Sequence, residues 1–156
     1  MVITTTITKA ESSDLKQILR LQYLAYQSEA KLLNDFSIPP LKQTIAEINQ
    51  EYEKSIFLKA TDEKGNIIGS VRAFADIDTA HIGKLIVHPE KQGQGIGTKL
   101  LLAIEQECPT ARYELFTSNE SIRNIQLYER LGYVRFKEQQ ISDKLNLVFL
   151  EKYKDM

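Results

Sequence analysis

The sequence predicts a single α/β domain built on a mixed β-sheet. Three observations carry this. Runs of β-branched and apolar residues alternate with segments of helical spacing, two of the connections are short and polar enough to close hairpins, and a glycine-rich turn joins a strand to a helix near mid-chain. A chain of 156 residues with 42% hydrophobic content is large enough to bury a core without disulfides or metal. No repeat, low-complexity tract or linker divides it, so the domain is expected to span residues 1–156.

Val2 to Thr8 is rich in β-branched residues and reads as the first strand. Ser12, Ser13 and Asp14 offer an N-cap for a helix through Leu15, Ile18, Leu19 and Leu21 to about Glu29. An irregular stretch from Lys31 ends in Pro39-Pro40, after which Leu41, Ile45, Ile48 and Tyr52 fall at helical spacing. Ser55 to Thr61 and Ile67 to Ala75 read as antiparallel strands joined by the polar loop Asp62-Glu63-Lys64-Gly65-Asn66. Thr79 to Val87 is a fourth strand, ended at His88-Pro89 because proline cannot donate to a ladder; His88 reads as a turn residue.

Gly97, Leu100, Leu101, Ile104 and Cys108 then form the apolar stripe of a helix that Pro109 stops. Arg112 to Thr117 is a short strand. Thr117 with Glu120 has capping-box spacing for a helix carrying Ile125, Tyr128 and Leu131, and Gly132 is placed to end it. Tyr133 to Ile141 and Lys144 to Lys152 read as a closing hairpin around Ser142-Asp143.

Charge narrows the function classes. Twenty Lys and Arg against 21 Asp and Glu leave a net charge of −1, which disfavours a dedicated nucleic-acid binder. The lone Cys108 excludes an internal disulfide framework and a Cys-rich zinc site, and its place on an apolar stripe makes it structural rather than nucleophilic. Met1 to Ala10 lacks the basic flank and apolar run of a signal peptide, and no stretch approaches a membrane span. The expectation is a soluble, cytoplasmic protein without membrane or nucleic-acid partners.

The most informative stretch runs from Leu85 to Thr98: a strand, then Gln92-Gly93-Gln94-Gly95, then the first helical turn Ile96-Gly97-Thr98. Glycines admit close backbone approach, and the first amides of a helix lack internal acceptors, so the arrangement suits a pyrophosphate. Glycine spacing alone leaves simple packing open. A P-loop would need a Lys-Ser/Thr pair after the glycines, and a dinucleotide fold would place the turn after its first strand with an acidic residue about twenty positions on. Neither is present.

The run Gln92-Gly93-Gln94-Gly95-Ile96-Gly97 matches the signature of the GNAT superfamily of N-acetyltransferases: Gln or Arg, two residues, Gly, one residue, then Gly or Ala. The preceding strand, Leu85-Ile86-Val87-His88-Pro89, also resembles the family's. So does Ser121-Ile122-Arg123-Asn124-Ile125-Gln126-Leu127-Tyr128-Glu129-Arg130-Leu131-Gly132-Tyr133, which is similar to the helix and turn that support coenzyme A in these enzymes.

The resemblance implies a GNAT-like fold, with a mixed, mostly antiparallel sheet of about seven strands, about four flanking helices, and a splay between the fourth and fifth strands. It implies acetyl-CoA as co-substrate, no metal, and direct transfer of the acetyl group to a primary amine of a small molecule, peptide or protein. The pantetheine arm would pair with Leu85, Ile86 and Val87 as an added strand. The pyrophosphate would sit on the amides of Gln92, Gly93, Gln94, Gly95, Ile96, Gly97 and Thr98, with Asn124 and Tyr128 on one helical face toward the cofactor.

Tyr128 matches the family's usual general acid. His81, counted back without gaps from the glycine motif, falls where some branches carry a general base, and imidazole accepts protons near neutral pH. Tyr26, Glu29, Asp35 and Phe36, in the first two helices and their connection, are candidates for the substrate pocket, since acidic and aromatic groups suit a cationic amine. The rival reading is a non-catalytic module that binds acetyl-CoA or another acyl-CoA as a sensor. Open-sheet edges and the dimers common in the family make a homodimer the expected assembly.

Overall fold

A computed structural model describes residues 4–154. Every strand and helix expected from the sequence forms, with differences in extent. The strands are β1 (Thr6–Lys9), β2 (Ile56–Thr61), β3 (Ile67–Ala75), β4 (Thr79–Val87), β5 (Arg112–Ser118), β6 (Val134–Gln140) and β7 (Asn146–Tyr153). The helices are α1 (Leu15–Ala25), α2 (Gln27–Leu33), α3 (Pro39–Lys42), α4 (Ile45–Lys54), α5 (Ile96–Glu107) and α6 (Ile122–Arg130). Val2 and Ile3, expected in the first strand, lie outside the described residues. Among the described residues no helix is long and apolar enough to cross a membrane.

The strands form one seven-stranded sheet in the order β1-β2-β3-β4-β5-β7-β6. All neighbours are antiparallel except β4 and β5, which are parallel. That parallel pairing is short: Thr79, Ala80 and His81 oppose Arg112, Tyr113 and Glu114, and there it stops. The remainder of β4, through Val87, keeps its partner β3 on one side and has none on the other. The sheet is therefore splayed between its fourth and fifth strands.

Apolar residues cover both faces. Under α5 and α6, Leu100, Leu101, Ile104 and Ile125 pack on Val71 and Ile82 in the main core. On the opposite face Leu15, Ile18 and Leu19 of α1 and Ile48 of α4 pack with Phe57. A third cluster, Ala30, Leu33, Ile38 and Leu145, ties α2 and the following turn to the β6–β7 hairpin. Arg72, 2% exposed, pins the second layer: it donates to Glu51 on α4 (2.8 Å) and to Gln22 on α1 (2.7 Å), and it stacks on Phe57. These partners offset most of the cost of burying the guanidinium, although its Nε finds no acceptor among the described residues.

Three local expectations are corrected. The first helix does not run unbroken to Glu29; it breaks at Tyr26, and α2 continues to a left-handed cap at Asn34 (φ 50°). The double proline also starts a short helix of its own, because proline is tolerated in a first turn, so the described residues hold six α-helical segments, besides two single 3₁₀ turns, where about four helices were expected. The capping box predicted for Thr117 and Glu120 does not form: Thr117 stays within β5, and Ser121 takes the N-cap position of α6. A capping box does form at Thr44 and Glu47, where Thr44 Oγ1 accepts from the Glu47 amide and Glu47 Oε1 accepts from the Thr44 amide. As expected, Gly132 ends α6, with the Tyr133 amide reaching the Tyr128 carbonyl and the Gly132 amide that of Glu129.

Candidate active site

The splay opens a cleft along the unpaired edge of β4, and two cavities occupy it. The smaller, about 540 Å³, lies between Leu85–Val87, the glycine turn and the start of α6. Gly93 and Gly95 both adopt positive φ (80° and 82°), where a side chain would be strained, and Gly95 is the N-cap residue of α5. The first intrahelical bond comes only at the Lys99 amide, which donates to the Gly95 carbonyl (3.1 Å). The amides of Ile96, Gly97 and Thr98 therefore precede any helical acceptor and are donors for an anion, favoured further by the helix dipole. Lys91, Arg123 and Arg130 ring the same cavity, and Arg123 is anchored by donating to Gln92 Oε1 (2.9 Å).

The larger cavity, about 780 Å³, lies on the α1–α4 side of the sheet and is closed at one end by the β6–β7 hairpin. The two cavities share four lining residues: Tyr26, Glu29, Leu85 and Asn124. At this junction Glu29 Oε1 accepts from Ser121 Oγ (2.6 Å), which links α2 to the start of α6. Burial raises the Glu29 carboxyl above the usual range, and the Ser121 bond only partly opposes that. Asn124 Nδ2 is 3.5 Å from Thr117 Oγ1.

Tyr128, one turn after Asn124, lines the larger cavity and is 5% exposed. Burial raises its pKa, and the nearby Glu29 charge adds to the shift. Its phenol is thus protonated throughout the neutral range, and its hydroxyl makes no hydrogen bond to another described residue. Tyr26, at the break between α1 and α2, is shifted upward mainly by the same burial.

A β-bulge shapes the other end of the cavity. Between Ser70 and Arg72 on β3, strand β4 advances from Ile86 to Gly83, one residue more than its partner, and Lys84 takes φ 47°. The extra residue inverts the alternation: Ile82 and Leu85, an odd number apart, both contact the core beneath α5. Lys84 is thereby turned to the face occupied by Arg72 and His81, and all three line the larger cavity.

The structure brings most expected site residues together. Leu85, Ile86, Val87, Gln92, Gly93, Gly95, Ile96, Gly97, Thr98 and Asn124 surround the smaller cavity, while Gln94 is exposed in the turn outside its lining. His81 borders the larger cavity at the last position of β4 that pairs with β5. Its Nε2 is 2.8 Å from Asp76 Oδ2, its Nδ1 is 3.7 Å from Glu114 Oε2, and its ring stacks on Phe74.

Asp35 and Phe36 line neither cavity. The Asp35 carboxylate is spent on the Ser37 amide (2.9 Å) and hydroxyl (2.6 Å), and Phe36 is exposed. Cys108 is buried on the α5 stripe, and His88 Nδ1 accepts from the Glu90 amide in the turn. Sequence reasoning missed Arg72, Lys84 and the role of Ser121. A charged residue inside an apolar strand run was the available signal for the first two.

Comparison with known proteins agrees with this geometry. The profile described as an acetyltransferase (GNAT) domain matches residues 25–154. The chain is 25% identical over 124 residues to the UPF0157 protein YqkA of Bacillus subtilis (strain 168); the match covers 79% of this chain and 35% of that protein, so the chain spans about a third of its relative's length. It superposes on the ribosomal-protein-S18-alanine N-acetyltransferase of Escherichia coli with a TM-score of 0.80 at 18% identity, covering 98% of this chain and 96% of the other. The phosphinothricin acetyltransferase of Sinorhizobium meliloti, solved in complex with AcCoA, gives 0.76 at 20% identity, covering 96% and 88%. With the splayed sheet, the glycine turn at the head of α5 and a profile match over most of its length, the chain belongs to the GNAT acetyltransferase family.

Proposed function

We propose that this protein transfers the acetyl group of acetyl-CoA directly to an amine, with the cofactor in the smaller cavity and the amine entering through the larger one. The observation that carries this reading is the meeting of the two cavities at Tyr26, Glu29, Leu85 and Asn124, beside the unpaired edge of β4. Acetyl-CoA supplies an activated thioester, and coenzyme A leaves as the thiol. The chain supplies a free strand edge at Leu85–Val87 for the amide-bearing arm, and unpaired amides with Arg123, Lys91 and Arg130 for the phosphates.

Acetylation requires the amine to lose a proton and the departing thiolate to gain one. Tyr128, protonated and facing the cavity, donates to sulfur as the general acid. Two groups on the acceptor side can take the amine proton. His81 reaches the amine through water along the cavity wall. Glu29 lies at the junction itself, and its raised pKa makes it a stronger base than an ordinary carboxylate while it attracts the incoming cation. The location of Glu29 favours it.

Two experiments test the reading. Acetyl-CoA at about one hundred times its Kd adds roughly 2.7 kcal/mol of stability, so saturation raises Tm by on the order of 5–10 °C, with no rise from ATP. With a turned-over amine, kcat/KM rises with pH as the base deprotonates, and for Glu29 this limb lies above the ordinary carboxylate range. The limb disappears in Glu29→Gln. A limb that survives there and disappears in His81→Asn assigns the proton to His81.

A further inference from the structure

We propose that the acceptor is a small molecule bearing both an amine and a carboxylate, an amino acid in the broad sense, held with its amine at Glu29 and its carboxylate on Lys84. The inference rests on the acetyl-transfer reading and adds the acceptor's chemical class. Its basis is the arrangement of charge along the larger cavity. Glu29 stands at the junction with the cofactor side, and the cations Arg72 and Lys84 stand along the wall. Arg72 is already neutralised by Glu51, with Nη1 to Oε1 at 2.8 Å. Lys84 has no carboxylate within 4 Å among the described residues. Lys42 and Glu47, the other charges of the lining, are exposed at the rim.

Lys84 is therefore a half-buried ammonium facing the cavity with no carboxylate in ion-pair contact among the described residues. Burial pushes its pKa down, with the Arg72 guanidinium adding to the shift and Glu51 opposing it. A ligand carboxylate would relieve both. The backbone gives a second, independent sign. Lys84 holds φ 47° in the bulge, a conformation unfavourable for a side-chain-bearing residue, and the bulge is what turns it toward the cavity. Strain retained at a ligand-facing residue is characteristic of functional positions. A volume of about 780 Å³ is within the range of small-molecule sites, which favours a free amino acid over a protein tail.

The test uses the full chain and acetyl-CoA, with the twenty protein amino acids and 4-aminobutyrate as acceptors, each compared with its carboxamide. Charge-assisted hydrogen bonds are about twice as strong as neutral ones. At least one free acid should therefore show kcat/KM about tenfold or more above its amide. Lys84→Met should bring that ratio to about one, and Lys84→Arg should keep it well above one. Amides equal to or better than their acids, a ratio unmoved by Lys84→Met, or no turnover of any acid while acetyl-CoA still raises Tm, would each overturn the inference and leave the cofactor site standing. No thermal shift with acetyl-CoA would instead overturn the reading beneath it. The wild-type acid-to-amide comparison decides the matter even where a variant does not fold.

Discussion

The two cavities flanking the free edge of β4 are built in different ways. The smaller is made mainly from contiguous chain, a strand end, a glycine turn and a helix start within Leu85–Thr98, and is completed by α6 and by the break between α1 and α2. Its donors are backbone amides, whose placement depends on local conformation. The larger is gathered from α2, the α3–α4 connection, β3, β4, β5, α6 and the closing hairpin, and its polar groups are mostly side chains. A ligand common to a whole family can be held by local backbone geometry, whereas selecting a particular acceptor requires distant side chains to converge.

Substitutions can break this contrast or sharpen it. The largest effect is expected at the group assigned to protonate the departing thiolate. Tyr128→Phe removes the proton donor with little change in packing and should lower kcat by about 100-fold or more while acetyl-CoA still raises Tm. On the acceptor side, Glu51→Gln leaves the Arg72 charge buried with a weaker partner. It should cost about 2 kcal/mol in denaturant unfolding, reduced from a fully buried pair because Glu51 is partly exposed. On the cofactor side, Gly95→Ala forces a side chain into φ 82°. A loss of about 1 kcal/mol is expected in stability, together with weaker acetyl-CoA binding by calorimetry.

The smallest effect has the opposite sign. Lys84→Gly relieves about 1–2 kcal/mol of left-handed strain against about 0.5–1 kcal/mol of added chain entropy, so the variant should be more stable by about 0.5 kcal/mol. Ordinary strand positions lose stability on the same change. Glu29→Gln should likewise raise Tm at neutral pH. A carboxyl whose pKa is raised on folding contributes stability fully below its unfolded pKa and loses it as pH rises through the folded pKa. Thermal unfolding followed across that window should show the wild-type and Gln curves converging at low pH.

The same division governs what the sequence could disclose. The strand order of hydrophobic runs, the helix stripe from Leu100 to Ile104 and the turn before α5 were legible, because periodicity and glycine placement are local signals. The break at Tyr26 was not, since nothing in Ala25-Tyr26-Gln27 opposes a helix; burial of Tyr26 and Glu29 at the junction accompanies it. Nor was the bulge at Lys84, which exists only relative to β3. Asp35 and Phe36 had suitable chemistry for an amine pocket but lie in a turn outside it. Arg72 sits inside the run Ile67 to Ala75, which reads simply as a strand, and only the fold shows that it joins α1 and α4 to the sheet.

The central claim is that an amine in the larger cavity is acetylated by a thioester presented from the smaller one. The most direct measurement is release of free coenzyme A from acetyl-CoA as a function of added amine, with the N-acetyl product confirmed by mass spectrometry in wild type and in Tyr128→Phe. The account predicts amine-dependent release matched one-to-one by N-acetyl product, falling by about 100-fold or more in the variant. Tight acetyl-CoA binding with no release across a broad amine panel would contradict it and leave a cofactor-binding sensor of the same fold.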